Sequence, residues 1–551
     1  MNRPSAIAVA LLLVLLAAVG GASPAAATYT QIEGSGSTWS EVILDQWISD
    51  VDALGMKVTY NGGGSSQGRK NFAQYVTDFG ISEIPFQGTD EYGQSDTSNG
   101  RPYAYLPIVA GGTSFTYQVR VAGKLVRDLR LSGGTIAKIF TNQIVNWNDP
   151  AITKDNNGHA LPSLPITPVV RSDGSGTTAQ FTTWLDKQYP SDWRPFFGRS
   201  GLTSYFPRKG RAIAAAGSDQ VMNTIAGAAG NGTIGYIEYS YPLNKHYPVV
   251  KLLNKAGFFV QPTQYNVAVA LTHARINSDP ASKDYLTQIL DDVYAAPEPQ
   301  AYPLSSYSYM ILPTGADDRR MTTSKRQTLV DFMFYSLCEG QSKAGAYGYS
   351  PLPLNLVAAG FTQLTKLGQA DPGVDIAHRD ATRCNNPTFV KGDLTRNHLA
   401  EIAPSPAACD KVGAGPCGAV PEATTSGSGA TTTTTAGPRT AAAGSAGSAG
   451  GSARGAAGSS GAAAGSGSGQ AGTVDPETGA TVGTTSLTGA QPVAGQAASD
   501  AVPVELGAAR SPEGTNVFGV LAVIELVALV LAPGLVTLAI RRRRARPGAA
   551  P

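Results

Sequence analysis

Apolar positions along this 551-residue chain fall into three patterns, and each predicts a different kind of element. Across residues 28–423, short apolar or alternating runs trade places with longer runs of helical period. Met56-Lys57-Val58-Thr59-Tyr60 reads as a strand ahead of a helix over 69–76, and residues 166–170 read as a strand ahead of a helix over 178–189. The Gly133-Gly134 turn leads into a helix over 136–140. Strands that alternate with helices predict α/β lobes with largely parallel sheets. The region is longer than one core normally holds, so two lobes are expected: 28–108 with 261–423 for the first, 109–260 for the second. In such sheets a ligand binds at the carboxyl ends of the strands, in the cleft between lobes.

The second pattern is the unbroken apolar run, found near both ends. Residues 1–27 combine Arg3, an apolar stretch over 6–19 and the small residues Ala25 and Ala27, the layout of a cleaved secretory signal. No Cys lies near that cleavage region, so a lipid on a new N-terminal Cys is not expected. Residues 517–540 are long and apolar enough for a transmembrane helix, and Arg541, Arg542, Arg543, Arg544 and Arg546 follow at once. The expected topology is a single pass through the cell membrane, with the bulk of the chain outside and a basic cytoplasmic tail over 541–551. Glu525 within the span reads as a neutral, protonated side chain rather than a contact to a partner helix.

The third pattern is a near absence of large apolar residues over 424–510, where Gly, Ala, Ser and Thr dominate. Such a segment cannot bury enough surface to offset its ordering entropy, and it is expected to be a flexible linker. A coil of about 90 residues spans on the order of 50 Å on average. The threonine run over 431–435 also suits a glycosylated stalk.

Composition narrows the function classes. A formal net charge of +2, cytoplasmic arginines included, leaves no bulk basic surface for nucleic acid. The four cysteines, Cys338, Cys384, Cys409 and Cys417, suit two disulfides in an oxidising exterior. Three pairings are possible, and Cys338 with Cys384 and Cys409 with Cys417 is the local-first choice. Neither they nor His159, His246 and His273 show metal-ligand spacing, and no cofactor is called for.

Three loops share a Gly-rich, hydroxyl-rich design between a strand-like and a helix-like run. They cover residues 34–38, 62–66 and 173–177. Glycine lets backbone N–H groups converge, a helix N-terminus adds partial positive charge, and hydroxyls donate further hydrogen bonds. One such loop is more often a turn and N-cap. Three together could surround a multiply charged oxyanion, whose lone pairs must nearly all meet donors once water is excluded. Arg171 adds a forked donor matched to two oxygens of one ligand. Asp173 either holds that guanidinium or caps the following turn.

These segments, with Asp78-Phe79-Gly80-Ile81-Ser82-Glu83, Trp147-Asn148-Asp149-Pro150 and Gly232-Thr233-Ile234-Gly235-Tyr236-Ile237-Glu238-Tyr239, resemble the phosphate-binding proteins that serve bacterial ABC uptake systems. Those proteins belong to the periplasmic-binding-protein superfamily, and the resemblance covers roughly residues 29–355. It implies a two-lobed fold with a cleft site, inorganic phosphate as ligand and an ABC permease as partner. The family's ligand contacts would fall on Thr38, Trp39, Ser65, Glu83, Arg171, Ser175, Gly176 and Thr177, with Asp78 structural. Trp39 stands where the family usually has Phe, a backbone contact. Glu83 stands where the family has Asp, the carboxylate that accepts the proton that phosphate carries and sulfate lacks. Asp78 is the other carboxylate that could take this role.

Two other readings compete. Gly64-Ser65-Ser66-Gln67-Gly68 matches the G-x-S-x-G nucleophile elbow of a serine hydrolase, with His378 or His398 in the right chain order for a triad. The long tether also suits a phosphate-sensing or surface protein without a transport role.

Overall fold

The computed structural model describes residues 29–418 apart from 280, 281, 283, 378, 381–383, 391 and 392. The expected signal, linker, transmembrane span and basic tail lie outside the described residues. Among the described residues no helix is long and apolar enough to cross a membrane.

Eight strands form one sheet that runs through both lobes. They are β1 (Ile32–Gly36), β2 (Val58–Gly62), β3 (Phe79–Ser82), β4 (Tyr103–Tyr117), β5 (Thr167–Arg171), β6 (Ile213–Ala215), β7 (Thr233–Glu238) and β8 (Ser305–Pro313), in the spatial order β6-β5-β7-β4-β8-β3-β1-β2. The two ends of the sheet are parallel: β1 pairs with β2 and β3, and β5 pairs with β6 and β7. Its centre is antiparallel, because β4 and β8 are the strands shared by the lobes. The first part of β4 pairs with β8, Tyr103 opposite Pro313 and Gly112 opposite Ser305, and its last part pairs with β7, Thr113 opposite Glu238. The chain is thus a two-lobed α/β protein, as the strand and helix pattern implied, with an antiparallel centre between its parallel ends.

Helices α1 (Glu41–Asp52), α2 (Ser65–Ala73), α3 (Gly133–Phe140), α4 (Gly176–Gln188) and α5 (Gly217–Ala226) flank the sheet, and α6 (Thr323–Leu337) and α7 (Leu354–Ala370) complete the first lobe. Gly133 and Gly134 lie inside α3 rather than in a turn before it, because Ser132 already caps the helix by accepting from the Thr135 N–H. The α1 face that carries Ile43, Leu44, Trp47 and Val51 is buried, and Trp47 Nε1 donates to Gly340 O at 2.8 Å. In the second lobe Phe181 on α4 stacks on Phe206 and lies 4.9 Å from the Tyr236 ring on β7. Burial of each such ring contributes about 2 kcal/mol, which fixes the start of α4 against the sheet.

Both disulfides follow the local-first pairing, Cys338–Cys384 and Cys409–Cys417. The segment beyond α7 does more than extend the first lobe. After the first disulfide it crosses to the second lobe, where buried Arg130 donates to Cys409 O at 3.1 Å and Ala414 O at 2.6 Å, and Lys251 pairs with Asp410 at 2.8 Å.

Candidate oxyanion site

The carboxyl ends of β1, β2 and β3 in one lobe and β5 in the other face a common point, and the loops that leave them carry the candidate residues. Some of the glycines there serve packing rather than a cradle. Gly34 and Gly36 lie within β1, where a Cβ on Gly34 would sit 2.0 Å from the Phe79 ring and one on Gly36 would sit 2.1 Å from Ile81 O. A Cβ on Gly68 would sit 2.5 Å from the Gly36 Cα, so α2 rests directly on β1. Gly64 is different: its φ of +91° turns the chain from β2 into α2 and aims the first N–H groups of that helix at the cleft.

Thr38, Trp39, Ser65, Glu83, Arg171, Ser175 and Thr177 are all buried, at most 3 % exposed. The lobes meet across them. Gly176 N–H donates to Ser65 Oγ at 3.1 Å, Ser66 N–H donates to Gly174 O at 3.0 Å, and Ser218 N–H donates to Thr38 Oγ1 at 3.2 Å. Ser175 caps α4 by accepting from the Thr178 N–H at 3.2 Å. Thr177 Oγ1 is buried without a hydrogen-bond partner among the described residues. The Trp39 ring packs edge-on against Tyr349, and the Trp39 backbone N–H donates to Ser37 Oγ at 3.0 Å.

Arg171 is held by Asp173, through Nε to Oδ1 at 2.7 Å and through Nη2 to Oδ2, so the holding role of Asp173 prevails. Asp173 also accepts from the Gly217 N–H at 2.9 Å. Burial works against the Arg171 charge, but the bonds and charge of Asp173 outweigh it and keep the guanidinium above its ordinary value. The same pair keeps the Asp173 carboxyl below its ordinary value despite burial. Arg171 Nη1 donates to Ser218 Oγ at 3.3 Å. Of its five N–H hydrogens this leaves two, one on each terminal nitrogen, a pair that matches two oxygens of one ligand.

Glu83 sits at the end of β3 and reaches across to the first turn of α4. Ser65 Oγ donates to its Oε2 at 2.6 Å, and a Cβ on residue 176 would lie 1.9 Å from that oxygen. Residue 176 must therefore be glycine for the carboxylate to lie where it does. Asp78 is elsewhere: its buried carboxylate pairs with Arg320 and Lys325, each at 2.9 Å, and accepts from the Glu33 N–H. The carboxylate in the cleft is thus Glu83. The site has no net positive charge, so an anion there would be held by oriented N–H and O–H donors and by the N-termini of α2 and α4.

Four residues in this neighbourhood carried no flag in the sequence reading. Ser218 opens α5 after β6 and a glycine, the same design as the other loops, and could have been found by that signal. Ser40 and Ser308 could not, since they follow a loop and sit in a doubly buried strand. Glu41, at the start of α1, accepts from the Gly62 N–H at 3.1 Å. Burial first and then Asp45 push its carboxyl from an ordinary 4.5 to about 7. The hydrolase reading is not favoured, because the partner of Ser65 is a carboxylate and a backbone N–H. His398 lies in the C-terminal extension, and His378 is outside the described residues.

A PBP superfamily domain is matched over residues 21–339. The phosphate-binding protein PstS of Methanocaldococcus jannaschii is 30% identical over 346 residues, covering 61% of this chain and 86% of its own length. The phosphate-binding protein PstS 2 of Mycobacterium tuberculosis is 30% identical over 339 residues, covering 60% of this chain and 85% of its own. Among solved structures, a high affinity periplasmic phosphate-binding protein bound with phosphate is 19% identical, covers 63% of this chain and 100% of its own, and has a TM-score of 0.49.

Proposed function

This chain belongs to the PBP superfamily, and from that membership we propose that it captures inorganic phosphate outside the cell and delivers it to an ABC-type permease. The observation that carries the reading is the meeting of donors from both lobes beside one buried carboxylate, where Ser65 Oγ donates to Glu83 and accepts from the Gly176 N–H. Arg171, Thr38, Ser65, Ser175 and Thr177, with the N–H groups of Trp39 and Gly176, would meet the phosphate oxygens, and Glu83 would accept the one hydrogen that the ligand carries. The protein acts as a binder, not as an enzyme. Its relatives at 30% identity are phosphate-binding proteins, which supports the ligand class.

The carboxylate decides between oxyanions. A fully deprotonated anion such as sulfate would put oxygen against Glu83 Oε2 with no hydrogen between them, whereas monohydrogen or dihydrogen phosphate supplies one. A buried acceptor that requires a donor can discriminate by about 10⁴-fold. The residues 424–510 and 517–540 would hold the binding lobes on a long tether at the outer face of the membrane, with the C-terminus inside.

Isothermal titration of the purified ectodomain against phosphate, arsenate and sulfate tests the assignment. Tight phosphate binding with sulfate weaker by at least a thousandfold is expected. Equal affinities would remove the phosphate assignment.

A further inference from the structure

Glu83 is one methylene longer than the aspartate its neighbourhood resembles, and its side chain is anchored in a way that the phosphate contacts do not explain. Its Oε1 faces away from Ser65. That oxygen accepts from Ser308 Oγ at 2.9 Å, and Ser308 Oγ lies 2.6 Å from Ser40 Oγ. Ser40 Oγ itself is 3.5 Å from Oε1. The distances describe a relay: the Ser40 hydroxyl donates to Ser308, and the Ser308 hydroxyl donates to Glu83. All three residues are buried, at most 1 % exposed. Among the described residues neither Lys nor Arg pairs with Glu83, so these hydroxyls and Ser65 are what meets its carboxylate. The main chain of Glu83 is fixed as well, with Gln180 Nε2 and Gln288 Nε2 donating to its carbonyl at 2.7 and 3.0 Å.

We propose that Ser308 and Ser40 are positioning residues for anion selection: they pin Glu83 Oε1, so that Oε2 alone is presented to the ligand beside Ser65 and Gly176. This inference rests on the phosphate-capture reading. Ser308 is suited to the role by its place on β8, which pairs with both β3 and β4 and is buried along its whole length. An unpinned glutamate has an additional rotatable bond compared with aspartate, and its carboxylate could swing away from the cleft and stop rejecting an anion that lacks a hydrogen. Pinning also lets the hydroxyl of Ser65 change partners. When the ligand's O–H donates to Oε2, the Ser65 hydrogen is released to another ligand oxygen, and every lone pair and hydrogen remains matched.

The experiment measures phosphate and sulfate affinities by titration calorimetry for the natural ectodomain and for S308A, S40A, S308T and E83Q, each checked by thermal unfolding. A hydrogen bond to a charged group is worth about a tenfold factor or more. S308A should therefore lower the phosphate over sulfate ratio by about tenfold or more, and S40A, which acts through Ser308, by about threefold. S308T, which keeps the hydroxyl, should restore the ratio, a result that a purely structural role for Ser308 would not give. E83Q should lose most of the selectivity and sets the floor. If S308A does not fold, S40A and S308T carry the test. A natural protein that does not prefer phosphate would overturn the functional reading itself. A selective natural protein whose S308A and S40A variants are equally selective would overturn this inference alone.

Discussion

Arg171→Ala is the perturbation whose size can be worked out most fully. The guanidinium is 2% exposed and spends three of its five N–H hydrogens on Asp173 and Ser218, leaving two for the ligand. Truncating one member of a buried, hydrogen-bonded charge pair costs about 2–5 kcal/mol, or roughly 30- to several thousand-fold in Kd. A second cost comes from Asp173. With Arg171 gone, its carboxylate would stand near the bound anion, and two like charges about 5 Å apart at an effective dielectric near 20 repel by about 3 kcal/mol. The single variant should therefore bind phosphate about 10⁴- to 10⁶-fold more weakly. Adding Asp173→Asn should recover at least tenfold of that loss, although it removes a further native side chain. Equilibrium dialysis with labelled phosphate covers the range. The reasoning fails if Arg171→Ala lies within tenfold of the natural protein, or if the double variant binds more weakly than the single one.

Two further outcomes follow from groups that flank the cleft. Asp78→Asn strands Arg320 and Lys325 beside a fully buried amide, and should cost about 3 kcal/mol in denaturant unfolding while leaving the phosphate over sulfate ratio unchanged; a lost ratio would return the selecting role to Asp78. Glu41, raised to about 7 from an ordinary 4.5, holds its proton more tightly in the folded chain than in the unfolded one. Its contribution is complete below about pH 4.5 and is lost as pH rises through about 7. Melting temperature in phosphate-free buffer should fall across that interval, and Glu41→Gln should flatten the fall; parallel curves would assign the slope to other groups.

What could be read from the chain and what could not divides by the distance over which a contact acts. The Arg171 and Asp173 pair, the Ser175 cap and the Gly64 turn are interactions within a few residues, so composition and order announce them. The helix starts shift for the same kind of reason: Ser65 and Gly176 begin their helices several residues and two residues earlier than apolar period suggests, because the polar first turns face the cleft rather than the core. The glycines of β1 were legible as glycines but not as packing requirements, since Phe79 and Ile81 come from another strand. Long-range partners leave no local trace at all. Ser308 is separated from Glu83 by 225 positions and sits in a strand buried along its whole length, where a serine gives no amphipathic signal. The departure at Glu83 is therefore visible in sequence, but its consequence is not. A longer carboxylate in an anion site reads as a weakened selector until the sheet brings two serines from different elements against its far oxygen. If that relay holds the charge in place, the extra methylene moves the carboxylate toward α4 without loosening it, and selectivity is set by the strands shared between the lobes as much as by the loops that touch the ligand.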